Sequence, residues 1–495
     1  MKTRIAIIGS GFSALSAASY LAKDGYEVTI FEKNKTIGGR ARQFKKDGFT
    51  FDMGPTWYWM PDVFERFFAD FGKHPSDYYQ LEKLNPAYSV YFGKNDCITI
   101  EDNLDKICQT FEKEEPGSSK QLKKFIANAQ HNYDVAIKNL VYRPGVSPFE
   151  LMTPVTIKKI NQFFTTIKKD VRKAFKNDRL AKILEFPVLF LGAKPDHTPS
   201  FYSFMNYADF GIGTFHPKKG MFEVIYALEQ LAKNLGVTIK TDSPVEKILV
   251  SENQATGIIS HDQTHIFDII LSSADYHHSE TLLEKKHRQY SEKYWENKIF
   301  APSSLLFYVA FDKKLKNVNH HTLFFDVDFE AHAKEIYDTP RWPENPLFYA
   351  SFPSLTDKNL APEGHEAGIF LIPLAPGLKD TEQLRTLYFN KIIERFEHIT
   401  SQSVKNNILF KESFCVNDFI EDYNSYKGNA YGLANTLLQT AFLRPKLKSK
   451  KVNNLYFTGQ LTVPGPGVPP ALISGKLVAE LIKKHHAVKT HESAI

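Results

Sequence analysis

The chain opens on an apolar run, Ile5-Ala6-Ile7-Ile8, that breaks at Gly9 and Gly11 and gives way to a stretch, 13–24, with small residues along one side. A short apolar run bounded by glycine predicts a buried strand, and the stretch after it a helix that Gly25 ends. Glu27-Val28-Thr29-Ile30-Phe31 predicts a second strand. Strand, glycine turn, helix and strand make one unit of about 30 residues, whose parallel strands cross over right-handedly. Further on, the pattern predicts an amphipathic helix at 62–72, strands within 88–101, and a basic helical stretch from 118 to 190. It then predicts a helix from Gly220 to Leu235 and strands at Val237–Thr241, Val245–Val250, Ala255–Ser260 and Ile266–Ser272. Apolar, β-forming stretches at 303–312 and 366–374 predict a second sheet. A strand at Leu455–Thr458, a Pro/Gly loop and a helix from Ala471 to Lys484 close the pattern, and the polar tail after His485 is expected to be loose.

At 495 residues the chain exceeds one ordinary domain, so two or three lobes are expected, some built from non-contiguous pieces. The 42% hydrophobic and 24% charged content supports a sizeable core and argues against disorder. The net charge of +6 is spread along the chain rather than concentrated, which argues against a nucleic-acid partner. Cys97, Cys108 and Cys415 are too scattered for a disulfide framework or a zinc site and fit a reducing compartment. Met1-Lys2-Thr3-Arg4 before an apolar run imitates a signal peptide, but Gly9 and Gly11 break that run. No uninterrupted apolar run reaches about 18 residues, so no spanning helix is expected. The expected location is the cytoplasm, peripheral on the inner face of the membrane.

The candidate chemistry begins at the first turn. In Gly9-Ser10-Gly11-Phe12-Ser13-Ala14, Gly9 permits the tight turn and Gly11 a close approach of backbone to a pyrophosphate. Ala14 stands where a third glycine is usual and still allows helix–strand contact. The helix N-terminus adds free N–H groups. Glu32, about 20 residues on, ends the second strand where an acid can bind a ribose hydroxyl. Gly38-Gly39-Arg40 follows, an extension that a plain NAD dehydrogenase does not need; its arginine can pair with a diphosphate. No Ser-His-Asp or Cys-His arrangement and no metal-ligand cluster stands out. His277-His278 and His320-His321 are adjacent pairs that cannot both face one metal from a strand, and they are expected in loops or at the surface.

With these motifs the chain resembles the flavin amine oxidase superfamily and, within it, the bacterial-type phytoene desaturases. The resemblance is carried by Ile5 to Phe12, Phe31-Glu32-Lys33, Gly38-Gly39-Arg40-Ala41 and Phe51-Asp52-Met53-Gly54-Pro55-Thr56. Lys219-Gly220-Met221 through Ser273-Ala274-Asp275, and Leu455 through Gly459-Gln460 to Pro464-Gly465-Pro466-Gly467-Val468-Pro469, extend it to the C-terminus. It is least specific between about 100 and 215. Two departures are Ser13-Ala14 in place of a glycine pair, and Val463 where a His or Thr is common.

The resemblance implies an α/β fold: a Rossmann-like FAD-binding domain (GR2 type) with a mixed-sheet substrate domain and a helical lobe. Its pieces would be 1–75, 216–275 and 453–495 for FAD, 76–117 and 276–452 for substrate, and 118–215 for the lobe, which contacts a membrane in this reading. Gly9, Ser10, Gly11, Phe12, Ser13 and Ala14 would hold the FAD diphosphate, with Gly39 and Arg40 beside it. Glu32 would take the adenosine ribose and Val245 would present backbone to the adenine, with Lys33 and Ala274 also among the cofactor-binding residues. Gly54, Pro55 and Thr56 would lie near the flavin ring, Gly459 near the ribityl chain, and Gly467, Val468 and Pro469 at the ring's pyrimidine edge. The implied reaction is desaturation of an apolar polyene, phytoene towards lycopene, with quinone or oxygen as final electron acceptor. A later-acting 3,4-desaturase of a hydroxylated carotenoid shares the same motifs. An amine oxidase and a non-enzymatic prenyl-protein escort factor are the alternatives of other kinds.

An apolar substrate calls for an apolar passage. Forty Phe in a chain that is 14% aromatic can supply one, and Trp57, Tyr58 and Trp59, following Gly54-Pro55-Thr56, are expected to line it. Between 155 and 184, Ile157, Ile160, Phe164, Ile167, Val171 and Phe175 recur at helical spacing among lysines and arginines, a pattern that suits an anionic membrane surface.

Overall fold

The computed structural model describes residues 2–486 except 139, 152, 153, 155, 157, 158 and 160. Ile157, Ile160 and the tail after His486 therefore lie outside the described residues.

A five-stranded parallel sheet runs in the order Leu455–Phe457, Ile269–Ser272, Arg4–Ile8, Glu27–Phe31, Thr238–Lys240. Its inner strands are mainly apolar on both faces because both faces are covered. Ile5, Ile7, Ile269 and Leu271 face the helices Phe12–Lys23, Phe222–Asn234 and Val468–His485. Ala6, Ile8 and Ile270 face a three-stranded antiparallel sheet of Val245–Ser251, Gln254–Ser260 and Gln263–Ile266. The stretch expected as one strand over 266–272 is thus split between two sheets. Asp268 holds the corner, exchanging backbone and side-chain hydrogen bonds with Arg4 (2.9 and 2.7 Å). The C-terminal helix starts at Val468 rather than Ala471, because Pro469 and Pro470 fit a first turn whose N–H groups have no helical acceptor anyway.

The second sheet has seven strands in the order Ile408–Phe414, Ser303–Phe311, Glu366–Leu374, Phe348–Ser351, His321–Phe324, Tyr88–Gly93, Asp96–Ile100. Only the pairing of 321–324 with 88–93 is parallel, so the sheet is mixed. Alternation decides what each face meets. Phe307, Phe324 and Phe370 pack on the helix Glu382–Thr400, while Leu323, Tyr349 and Leu371 form the floor of a cavity.

The basic stretch is not one amphipathic helix. It breaks at Thr165–Thr166 between Asn161–Phe164 and Ile167–Ala174. Ile167, Val171 and Phe175 turn into the core, Lys168 pairs with Glu330 (2.7 Å), and Arg172 pairs with Glu185 and Asp178. Phe164 alone of the described stripe stays exposed. We propose the three-lobe division given above on the basis of the strand pairing. A single apolar cluster nevertheless runs from the first helix into Ser118–Lys138, so the helical lobe shares its core with the flavin sheet.

Candidate functional site

The first glycine turn opens into a groove. Leu15 is the first residue of the helix whose N–H finds a helical acceptor, Gly11 O at 3.0 Å, which leaves the N–H groups of Phe12, Ser13 and Ala14 at the free end. Gly9 has φ +93°, a conformation that favours glycine. A Cβ at Gly11 would meet no protein atom within 4 Å; it would stand in the groove. Glu32 lies across the turn and accepts from Ser10 N (2.9 Å), Ser10 Oγ (2.7 Å) and Asn34 N (2.9 Å). The Gly38-Gly39 turn packs onto the first one, with Gly38 N–H donating to Ser10 O (3.1 Å).

Arg40 lines the groove and donates to Ser425 Oγ (3.0 Å) and Asn429 O (3.2 Å). Its Nε has no partner among the described residues. Burial pushes the Arg40 guanidinium down and the Asp275 carboxyl opposite it up. A buried cation with an orphaned donor, beside open glycines and a free helix end, fits an anionic diphosphate.

Gly9, Ser10, Gly11, Phe12, Ser13, Glu32, Lys33, Gly39, Arg40, Gly54, Pro55, Val245, Ala274, Gly459, Gly467 and Val468 all line this groove. Lys33 ties the rim together through Glu421 O and Asn424 Oδ1. Three expected residues stand elsewhere. Ala14, next to groove-lining Ser13, is buried against the core. Thr56 and Pro469 line the neighbouring cavity instead. Because Pro469 and Pro470 carry no N–H, Val468 supplies the only backbone donor of the C-terminal helix's first three positions.

That second cavity, about 400 Å3, falls in the range of ligand pockets. It meets the groove at Gly54, Pro55, Ser304, Leu371, Tyr431, Gly467 and Val468. Its walls are mainly apolar, with Phe186, Leu189, Phe201, Phe325 and Phe329 among them.

Comparison with known proteins agrees with this geometry. The family described as "Flavin containing amine oxidoreductase" matches residues 12–483. The chain is 39% identical to a carotenoid 3,4-desaturase of Haloarcula japonica over 97% of both chains. It is 34% identical to a 4,4'-diapophytoene desaturase of Staphylococcus aureus, over 97% of this chain and 99% of that one. The chain belongs to the flavin-containing amine oxidoreductase family, in its carotenoid desaturase branch. Its cofactor is FAD. The fold is shared with an oxidoreductase from Methanosarcina mazei (TM-score 0.65, 18% identity, 96% of this chain and all of that one). It is shared also with a putrescine oxidase (TM-score 0.62, 12% identity, 98% and 99%).

In this member of the carotenoid desaturase branch, Trp57 and Trp59 line the cavity and Tyr58 does not. The segment is extended, bridged at Tyr58 to Phe215, so successive side chains point to opposite sides. Tyr58 is buried behind the wall, stacked on Phe64 and bonded to Tyr79 Oη (2.7 Å). The histidine pairs also differ from expectation. His320 and His321 are buried where the interior strand His321–Phe324 of the cavity sheet begins, and His277 and His278 are half-buried on the helix Tyr276–Thr281.

Two contributors carried no sequence signal. Arg444, fully buried, donates to Leu433 O (3.0 Å), Gln460 O (3.1 Å) and Asn435 Oδ1, and so clamps the loop between Gly459 and Gly467; burial lowers it to about 10. A lone arginine outside any motif gives the sequence reader nothing to find. Asp209 accepts from Tyr88 Oη (2.8 Å) behind Trp57, and burial raises its carboxyl to about 8.

Two predictions arise here. Glu32→Ala is expected to weaken FAD binding about 10- to 100-fold, the loss of one or two hydrogen bonds to a charged group, measured by fluorescence titration of the apoprotein. For Asp209, a folded-state value above the unfolded one means stability present at low pH and lost as pH rises from about 4 to about 8. Asp209→Asn is therefore expected to melt above the parent at pH 8.5 and close to it at pH 5. Equal differences at both pH values would refute this.

Proposed function

We propose that this chain is an FAD-dependent carotenoid desaturase, acting on a CH–CH bond of a long apolar polyene threaded from the outer cavity to the flavin. One observation carries the reading: an aromatic-lined cavity meets the FAD groove at Gly54, Pro55, Gly467 and Val468. FAD would be held by the groove residues named above, with Gly11 and Arg40 at its diphosphate, Glu32 at its ribose, and Gly54, Pro55 and Val468 around its ring. Bound there, FAD supplies a hydride acceptor. The protein supplies a dry channel that orients the chain and excludes water. An amine substrate fits less well. Glu150, the one carboxylate among the described lining residues, is occupied by the N–H groups of Gly145 (2.9 Å), Val146 (3.0 Å) and Ser147 (3.3 Å).

Of the two carotenoid readings, the higher identity to the 3,4-desaturase than to the diapophytoene desaturase favours a late step on an acyclic, hydroxylated carotenoid over phytoene towards lycopene. The test is expression in cells that accumulate phytoene, lycopene or a hydroxylated lycopene derivative, followed by pigment separation. A product with one more double bond only from the hydroxylated pigment supports the first reading. Red products from phytoene support the second, and unchanged pigments with a flavin-loaded protein oppose both.

The same reading places the cavity mouth on a membrane. Arg143, Gly145, Ser147 and Glu150, with Thr440, Ala441 and Phe442, line one end of it, and Val146, Phe149, Phe164, Leu438 and Leu443 stand exposed along those segments and beside them. Among the described residues no helix is long and apolar enough to cross a membrane. We propose peripheral docking of this rim on the inner, anionic leaflet, with a membrane quinone or oxygen as the final electron acceptor. Phe149→Ser with Leu438→Ser is expected to cut sedimentation with phosphatidylglycerol vesicles at least tenfold while leaving bound FAD unchanged, since two buried side chains contribute about 3–6 kcal/mol to insertion at most. Unaltered sedimentation would place the contact elsewhere.

A further inference from the structure

Three histidines that no motif announced meet behind the cavity wall. His216, on the strand Phe215–Pro217, and His320 and His321 are each at most 3% exposed. The His216 and His320 rings lie 4.7 Å apart, and those of His320 and His321 4.4 Å. His321 stacks flat on Trp57, at 4.0 Å and 10°.

This cluster has two ends. At the inner end His321 Nδ1 lies 2.6 Å from Tyr349 Oη, and Tyr349 Oη lies 2.8 Å from Thr56 Oγ1. Tyr349 and Thr56 both line the cavity, next to the Gly54–Pro55 junction with the FAD groove. At the outer end His320 Nδ1 meets Thr356 Oγ1 at 2.7 Å, on an exposed residue. His216 Nε2 faces Asp357 Oδ2 at 3.4 Å. Between the ends, His321 Nε2 is buried with no hydrogen-bond partner among the described residues.

Buried polar atoms are costly unless paired, so an otherwise apolar wall has no packing reason to hold an imidazole with an orphaned nitrogen. The geometry points to a proton path: Tyr349 and His321 take up the proton released during desaturation, and the His320–His216 pair passes it to Asp357 and the surface at Thr356. This rests on the desaturase reading.

The chemistry balances. Forming C=C breaks two C–H bonds on neighbouring carbons. With FAD bound, one hydrogen would leave as hydride to its oxidised form, and the other would leave as a proton to Tyr349 Oη, its bonding pair becoming the π bond. The Tyr349 hydroxyl proton moves to His321 Nδ1, and the His321 Nε2 proton departs towards His320 and His216. Burial, together with the nearby His216, pushes His321 well below the usual imidazole value, which keeps it neutral and able to accept at rest. With Nδ1 accepting from Tyr349, its own proton sits on Nε2.

The test uses the FAD-loaded full chain. Tyr349→Phe and His321→Gln are each compared with the parent for bound FAD, melting temperature and anaerobic flavin reduction by lycopene, its hydroxylated derivative and phytoene in vesicles. Expected are unchanged FAD content and a flavin reduction about 100-fold slower in both, the contribution of one proton-transfer group. Gln at 321 can still accept the Tyr349 hydrogen bond but cannot carry a proton, so a parental rate in His321→Gln reduces the cluster to packing and overturns the path. Independently of turnover, 15N-histidine NMR is expected to show His321 neutral, with its proton on Nε2, from pH 6 to 8, and its Nδ1 resonance moved by Tyr349→Phe. An imidazolium signal at pH 7, or no response to Tyr349→Phe, would overturn it. If no polyene reduces the parent's flavin, the desaturase reading fails and the path with it; slow variants beside a competent parent distinguish the two.

Discussion

Gly11→Val protein is expected to purify folded but colourless. The backbone at Gly11 is extended (φ −74°, ψ −177°), which suits valine, and the new Cβ meets no protein atom within 4 Å. The fold therefore has no reason to fail. The side chain instead occupies the groove beside the free N–H groups of Phe12 and Ser13, where the diphosphate must approach the backbone. Displacing it by a side chain is expected to cost about 3 kcal/mol or more, a hundredfold or greater loss of affinity. The readout is the flavin-to-protein absorbance ratio after gel filtration, with circular dichroism matching the parent apoprotein. Full flavin occupancy in this variant would falsify the placement of FAD.

Gly475→Val acts in the opposite way, on the fold and through it on the site. Gly475 lies in the C-terminal helix, where an added Cβ would fall 2.6 Å from Ser13 O and 2.7 Å from Ser16 Cβ of the first helix. Neither helix can retreat easily. Ser16 Oγ bonds Leu472 O (2.8 Å), and Ser474 Oγ holds Gly459 N (3.1 Å) and Thr458 Oγ1 (2.8 Å). Overpacking at a backbone contact is expected to cost about 3 kcal/mol, at the upper end for a well-packed core. The variant should express poorly, melt well below the parent and bind FAD weakly in whatever soluble fraction remains. A parental melting curve would show that the helices can part, and the close packing would then be incidental to the site.

These two glycines mark what each level of description determined. Gly11 was legible because its meaning is local: a strand, a tight turn and a helix end lie within a few residues, and the acid at Glu32 closes the pattern. The same locality made the strands at 4–8, 27–31, 303–311 and 366–374 readable from their apolar runs. Gly475 was silent because the helix it touches lies more than 450 residues away in sequence and only the folded chain brings them together. Arg444 was silent for the same reason: its acceptors, Leu433 O and Gln460 O, belong to two loops with no shared pattern.

Side-chain direction was likewise decided in three dimensions. Trp57, Tyr58 and Trp59 are one aromatic run in sequence, and the extended backbone sends the middle ring away from the cavity. The stripe of Ile167, Val171 and Phe175 has the spacing of a membrane face, and packing turned it inward, leaving the exposed apolar side chains of Phe149 and Leu438 on segments without periodicity. His320-His321 reads as a polar pair fit for the surface. The sheet buries it, because Tyr349 and Thr356 offer hydrogen bonds that composition cannot foresee. Local backbone demands are written in neighbouring residues, and so the sequence by itself determined the cofactor turn and the fold class. Which side chains share a cavity depends on contacts between distant segments, and only the tertiary structure decided the lining of the apolar cavity and the histidine cluster behind it.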